Sequence, residues 1–392
     1  MKTTFISSYP PRKCGIATYT KDLTQAIQQA SPITSLSVVA MDNEEVLKYP
    51  SQVQFIVEKN NLDDYQKAAH YINATYSDVV CLQHEYGLFG GENGDYIFNL
   101  LNRLNQPIVT TLHTILQNPT EEQRQTLFKI SQISNALIAM IPDAKERLAH
   151  DYGIPPHKVS VIHHGVPQRP NAFDQHKKRH NIRQQPVMLM TGLLSPNKGT
   201  EYVINALPTI KKEFPHIRFI IAGQTHPEIK KHSGEAYRNS LKKQIETLAL
   251  QENVQFIDHY LNLDELLNLY EACNIYLTPH TDAQQISSGT LAYALGMGKA
   301  CVSTPYLYAE KMLANGTGLF TNFCDATSIA TACLSILRSP TLQKTLETNA
   351  YTLGKQMAWP LVAEQYIAVL KSVQKKPEPF SLPTYNPTYA VV

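Results

Sequence analysis

The chain has 392 residues, of which 43% are apolar and 17% charged, with a formal net charge of +2. That length exceeds one ordinary core, so two domains are expected. A charge so near neutral excludes a nucleic-acid partner read by a basic face, and no apolar run reaches membrane-spanning length.

Short β-branched runs alternate with helical spacings along the first part of the chain. Strands are expected at Thr3–Ser7, Ser35–Val39, Val53–Ile56, Val79–Gln83, Ile108–Leu112, Ala136–Met140 and Val159–Ile162. After Pro167 the polar, basic stretch NAFDQHKKRHNIRQQ reads as a linker. A second series follows at Val187–Thr191, Arg218–Ala222, Val254–Ile257, Ile275–Thr278, Ala300–Ser303 and Gly318–Phe320. Segments between them, such as Asp264–Ala272 and Gly289–Leu295, carry helical spacing. Strand–helix–strand alternation predicts an α/β protein with two doubly wound parallel sheets, each covered on both faces, over 1–167 and 168–355. The proline-rich end, 376–392, reads as a flexible tail.

Ligands of such sheets bind beyond the carboxyl ends of the strands, which directs attention to the loops there. The first loop, SSYPPRKCGIATYTKDL, contains Gly15, where a ligand could approach the backbone closely; a plain helix-start glycine is the alternative. The second, Cys81–Asp95, gathers Gly87, Gly90, Gly91 and Gly94 around His84, Glu85, Tyr86, Glu92 and Asp95. With little helix potential it reads as an acceptor-side or catalytic loop rather than a mobile surface loop. His113 ends a strand and is either a satisfied structural histidine or a cleft residue. His163 and His164 are adjacent on an extended chain, face opposite ways and make no metal pair.

Two loops of the second series suit an anion. In TGLLSPNKGTEYVINALP a strand gives way to a helix beginning near Gly199 or Thr200, with Lys198 beside the unpaired amides of its first turn. In LTPHTDAQQISSGTLAYALGMGK, Ser288, Gly289 and Thr290 open another helix and supply hydroxyls and amides. Simple capping, worth about 1 kcal/mol, is the other reading of that start. A diphosphate needs several donors, and two converging loops supply them. The six cysteines include no CxxC pair, and Cys81, Cys273 and Cys301 lie in apolar runs, so buried free thiols are expected. MKTTFISSYPPRKCG lacks the apolar core of a secretory leader, and a cytoplasmic protein is expected.

With those loops placed, RKCGIATYTKDL, VIHHGV, GLLSPNKG, SSGTLAYALGMGKACVSTPYLYAEKML and WPLVAEQY resemble, in order, the motifs of retaining nucleotide-sugar glycosyltransferases of family 4. The resemblance covers roughly residues 1–370 and implies the GT-B fold, two facing Rossmann-like domains with a C-terminal helix, 356–375, returning to the first. It implies that Gly15, Gly192, Lys198, Ser288, Gly289 and Thr290 hold the donor diphosphate, with Glu310 at the ribose or the neighbouring loop. His113 and Gln285 would meet the donor sugar, and His84, Glu85, Tyr86 and Glu92 the acceptor. The family's two glutamates seven residues apart are here Gln285 and Tyr293, and the arginine that accompanies its lysine is Leu193. Glutamine can bond hydroxyls but brings no negative charge to an oxocarbenium ion.

The activity so implied is hexosyl transfer, of mannose or glucose, to a saccharide or lipid-linked saccharide, with no cofactor beyond the nucleotide-sugar substrate, no metal and no nucleic acid. The run Lys177–His180 is a candidate for peripheral contact with the inner face of a membrane, against ordinary solvated charge. A phosphorylase of the same fold and a catalytically degenerate sugar-nucleotide-binding protein are the alternatives. A Rossmann oxidoreductase is disfavoured, because no GxGxxG follows an early strand.

Overall fold

The structure is a computed structural model and describes residues 1–43, 47–169 and 185–374. Most of the expected linker, the basic run Lys177–His180 and the tail 376–392 lie outside the described residues.

The first half of the chain builds a seven-stranded sheet from β1 (Lys2–Ser7), β2 (Ser35–Asp42), β3 (Val53–Glu58), β4 (Val79–His84), β5 (Ile108–Leu112), β6 (Ala136–Ala139) and β7 (Val159–Val161). The second half builds a six-stranded sheet from β8 (Val187–Thr191), β9 (Arg218–Ala222), β10 (Val254–Ile257), β11 (Ile275–Thr278), β12 (Ala300–Ser303) and β13 (Gly318–Phe320). All pairings between these strands are parallel, in the orders β3-β2-β1-β4-β5-β6-β7 and β10-β9-β8-β11-β12-β13. Every expected strand forms, and β2 and β3 run on to Asp42 and Glu58. Helices cover both faces, which is why a central strand such as β4 is buried at all six positions.

Strand order reverses between β1 and β4, and again between β8 and β11. Chain leaving β1 and β8 therefore diverges from its neighbour and opens a crevice at each switch point. Gly15 begins the helix after β1, and Lys198 ends the turn after β8. The two candidate phosphate positions thus fall at the two places where doubly wound sheets bind ligands.

The last helix, Trp359–Val373, returns to the first half and packs on the helix Gly15–Ala30. Its Val362, Ala363, Tyr366, Ile367 and Leu370 share one buried cluster with Phe5, Tyr19, Leu23 and Ile27. The hydroxyls of Tyr19 and Tyr366 meet at 2.8 Å. Where the chain crosses, Val166 N–H donates to Met357 O at 2.9 Å and Trp359 N–H donates to Val166 O at 3.1 Å. The Trp359 ring lies so close that a Cβ on Gly165 would stand 2.1 Å from it, so only glycine fits there.

One expectation about local structure is corrected. The stretch after β4 forms the short 3-10 turns Tyr86–Leu88 and Glu92–Ile97, then the helix Phe98–Leu101. Three of its four glycines serve packing or backbone: a Cβ at Gly90 would lie 2.1 Å from Lys59 O, and Gly91 and Gly94 both have φ of 79°, whereas a Cβ at Gly87 would meet nothing within 4 Å. Five of the six cysteines are buried or half-buried, Cys324 is exposed, and all are free thiols.

Candidate active site

In the second half, two loops meet above the β8–β11 switch. Thr281 N–H donates to Asn197 O at 3.0 Å, tying the loop after β11 to the turn that carries Lys198. Gly199, at φ 67°, lies under Pro279: a Cβ there would be 2.1 Å from the Pro279 carbonyl oxygen. Gly192 (φ 112°) comes down beside Thr290, whose Cγ2 would be 3.3 Å from an added Cβ. The loops therefore converge through obligatory glycines, and Lys198 stands between them, half-buried. Among the described residues no carboxylate lies within ion-pair distance of its amine. Burial lowers the Lys198 pKa from 10.5 to about 8. A desolvated cation without a counter-ion is unfavourable until an anion arrives.

The helix Gly289–Gly296 points its first turn into the same space. Ser288 is its N-cap, with Oγ accepting from Leu291 N–H at 3.3 Å. That hydroxyl is committed to capping, so the first-turn amides of Gly289 and Thr290 are what this helix start offers an anion. Gln285 is half-buried, and its amide nitrogen donates to Ser287 O at 2.7 Å. Beside it His280 is buried against the Tyr306 ring, 4.8 Å between centroids, and held neutral first by that burial and then by the charge of Lys198. Glu310 is exposed on the short helix Leu307–Leu313.

Across the cleft, Gly15 follows the N-cap Cys14, whose sulfur accepts from Ala17 N–H at 3.3 Å. A Cβ on Gly15 would meet nothing within 4 Å, and its φ is not positive. Neither packing nor backbone requires glycine there. His113 follows β5, buried to 6% exposure, with Nε2 2.8 Å from Gln83 Oε1 and its ring edge on Tyr19. Burial pushes its pKa down to about 3, reinforced by nearby His164 and His84, so the ring is neutral at pH 7.

The expected acceptor-side residues differ in exposure. His84 is sealed at 0% exposure against Tyr86 and Phe89, with neither ring nitrogen bonded. It therefore cannot touch an acceptor in this arrangement, a correction whose cause is that β4 extends to His84 inside the sheet. Glu85 is half-buried, accepts from Tyr86 N–H at 3.0 Å and from the Thr114 hydroxyl, and its pKa is raised by burial. Tyr86 is half-buried and donates to Gln123 O at 3.2 Å, whereas Glu92 is exposed.

Several residues at the cleft carry no signal in one sequence. Tyr293 Oη donates to Asp22 Oδ2 at 2.9 Å, Thr18 Oγ1 meets Tyr260 Oη at 2.8 Å, and Ser287 Oγ donates to His113 O at 3.0 Å. Each of these bonds joins one half to the other. Lys13 Nζ donates to Gln224 Oε1 at 3.3 Å beside a cavity of about 650 Å³ lined by Arg12, Cys14, Asp42, His226 and Asp258. Arg238, wholly buried, holds one wall: it pairs with Asp258 at 2.8 Å and Glu235 at 3.2 Å and donates to Gly223 O at 3.0 Å. No cluster of three or more potential metal ligands occurs among the described residues, and none of their helices is long and apolar enough to cross a membrane.

Two Rossmann-like halves, each with its own switch point, and a C-terminal helix that returns to the first define the GT-B class. The model of the glycosyl transferases group 1 matches residues 172–353, and that of glycosyltransferase family 4 matches residues 15–168. The chain is a group 1 glycosyltransferase. No protein of curated function matches the sequence. Among solved structures, a glycosyltransferase from Rickettsia africae is 18% identical, with 96% of this chain and 99% of that one covered at a TM-score of 0.73. The sucrose-phosphate synthase of Thermosynechococcus elongatus is 17% identical, with 95% and 99% covered at 0.73. Anabaena HepE, in complex with UDP, is 16% identical, with 95% and 100% covered at 0.71. At these identities the likeness is one of fold.

Proposed function

We propose that the protein transfers a hexosyl residue, mannose or glucose, from a nucleotide-diphosphate sugar to a saccharide or lipid-linked saccharide, with retention of configuration. The observation that carries this reading is Lys198: a half-buried amine with no counter-ion among the described residues, between two loops that also present the first-turn amides of Gly289 and Thr290. The binding of UDP, and of UDP-glucose, by the structurally similar HepE supports a donor of that class.

The donor diphosphate lies against Lys198, Gly192, the Ser288–Thr290 helix start and the open backbone of Gly15. As the glycosidic bond breaks, charge grows on the leaving phosphate, and fixed donors in a dry cleft stabilise it more than they do the ground state. His113 and Gln285 hold the sugar, Glu310 lies toward the ribose side, and the acceptor lies over Glu85, Tyr86 and Glu92. Closure of the two halves excludes water and favours transfer over hydrolysis. No cofactor takes part. The protein works in the cytoplasm, with peripheral membrane contact where the acceptor is lipid-linked.

One observation favours a second reading. Tyr293, at the position of the family's second glutamate, spends its hydroxyl on Asp22. A phosphorylase using free phosphate at Lys198 needs no ribose contact there.

A thermal-shift screen against UDP-, GDP-, ADP- and dTDP-sugars and inorganic phosphate, paired with nucleoside-diphosphate release, tests the proposal. Saturation at 100 times Kd adds about 2.7 kcal/mol of apparent stability. A shift with turnover for one nucleotide class is expected. A shift with phosphate alone, and sugar phosphate formed from glycan, would replace the transferase by the phosphorylase.

A further inference from the structure

Behind His113 the buried polar groups form one hydrogen-bonded row. Gln83, at 0% exposure on β4, turns its carboxamide oxygen to His113 Nε2 at 2.8 Å. Its amide nitrogen faces Thr111 Oγ1 at 3.3 Å and Cys81 Sγ at 3.5 Å. Thr111 Oγ1 meets Tyr366 Oη at 3.0 Å, and Tyr366 meets Tyr19 at 2.8 Å. The row begins at the cleft and ends in the returning helix, and it contains no carboxylate and no cation.

We propose that Gln83 is a positioning residue: its carbonyl oxygen holds His113 as the neutral Nε2–H imidazole, so that Nδ1 is offered to the cleft as an acceptor for a hydroxyl of the donor sugar. The assignment of that hydroxyl rests on the proposed function; the tautomer rests on geometry alone. A neutral imidazole donating from one nitrogen has a bare lone pair on the other. Among the described residues Nδ1 is bonded to no protein group, and it is absent from the buried polar atoms that lack partners.

The surroundings keep it bare. The groups facing the ring are His84 and His164, both kept neutral by burial, and the edge of Tyr19 at 5.0 Å. The neighbouring carboxylate, Glu85, is engaged by Thr114 and by the Tyr86 amide. With no counter-ion among the described residues to hold a second proton, Nδ1 takes a hydroxyl and repels a phosphate oxygen, which is itself an acceptor. His113 and Lys198 therefore sort the two ends of a sugar phosphate by opposite chemistry.

Long-range proton–nitrogen correlation spectra of the whole 15N-labelled protein, with His113→Asn for assignment, read the tautomer directly. The expected result is an unprotonated Nδ1 and a protonated Nε2, unchanged from mildly acid to neutral pH. A protonated Nδ1, or a ring that titrates in that range, overturns the proposal, whether or not any sugar nucleotide is turned over. The kinetic arm uses the sugar nucleotide selected by the release screen; failure to find one sinks the proposed function and leaves the spectrum to decide this inference. Gln83→Glu gives the ring a partner for a second proton and turns Nδ1 into a donor. Its kcat should fall roughly 10- to 100-fold at neutral pH, by analogy with the loss of the partner that orients a metal-bound imidazole. That loss should reverse as the pH is raised, while the loss in Gln83→Leu should not. Equal, pH-independent losses in both variants would make Gln83 merely structural and overturn its positioning role.

Discussion

Tyr293, on the helix that opens the second half's anion site, donates its hydroxyl to the carboxylate of Asp22 on the first helix of the other half, 2.9 Å away. Burial raises the Asp22 pKa, and the Tyr293 bond works against that rise. A carboxyl whose folded pKa lies above its unfolded value contributes stability at low pH and loses it as pH rises through the folded pKa. Tyr293→Phe raises that pKa further. Its destabilisation is therefore expected to be slight in acid, where Asp22 is protonated, and about 1.5 kcal/mol at neutral pH, the low end for a bond to a charged group. Denaturant unfolding of both proteins at the two pH values measures it; a pH-independent difference would show that Asp22 is not the partner that matters.

Lys198 gives a second pH signature. Its folded pKa, about 8, lies below the ordinary 10.5, so the unfolded chain binds the extra proton between those values and ligand-free stability rises with pH across that window. Lys198→Met should then unfold at a higher temperature than the parent at neutral pH, with the gap closing in alkali. Donor kcat/KM of the parent should fall as pH passes about 8, because the free enzyme needs the charged amine. The variant should lose about 10²–10³-fold in turnover. Retained turnover would remove Lys198 from the leaving phosphate.

Gly15 and Gly199 make a contrasting pair. Space around Gly15 is open, so Gly15→Val should leave the unfolding temperature nearly unchanged and weaken donor binding by blocking the backbone. Gly199→Ala places a Cβ 2.1 Å from Pro279 O at φ 67° and should destabilise the ligand-free protein. Calorimetric titration with donor separates the two; unchanged affinity in Gly15→Val would mean that the loop does not reach the phosphates.

Arg238 anchors the wall beside the cavity. Arg238→Met leaves the buried Gly223 carbonyl without this donor, while Glu235 keeps the Thr225 hydroxyl and the Lys230 amine, and a loss of about 1–3 kcal/mol is expected, as for a buried acceptor left unsatisfied. Asp258 keeps solvent and adds little to that loss. Urea unfolding checks the figure, and a neutral result would show that water replaces the guanidinium.

Strand positions were legible because each β-branched run was short and bounded by turn residues, as in Arg218–Ala222. The anion site was legible in part, since Lys198 and Ser288–Thr290 each announce a helix start. What escaped was tertiary. Asp22 and Tyr293 are 271 residues apart, and nothing local marks either as the other's partner. Gln83 looks like any polar residue at a strand end until β5 brings His113 beside it. His84 misled for the converse reason: its glycine-rich surroundings suggested an open loop, while the extra strand residue carried it into the core. The same glycines hid helical turns, because Asn93 and Gly94 adopt positive φ values that helix propensities do not describe.

The returning helix makes the two halves unequal by inheritance. By sequence, Trp359–Val373 belongs to the second half; by packing, it completes the first. A fragment ending near Arg169 would carry all seven strands of its sheet and still leave Tyr19, Leu23 and Ile27 uncovered. Supplied in trans, the remainder of the chain would bring that missing cover with it. Divided at this point, the molecule yields one piece lacking part of its own interior and another bearing a helix with nothing to lie on, each repairing the other.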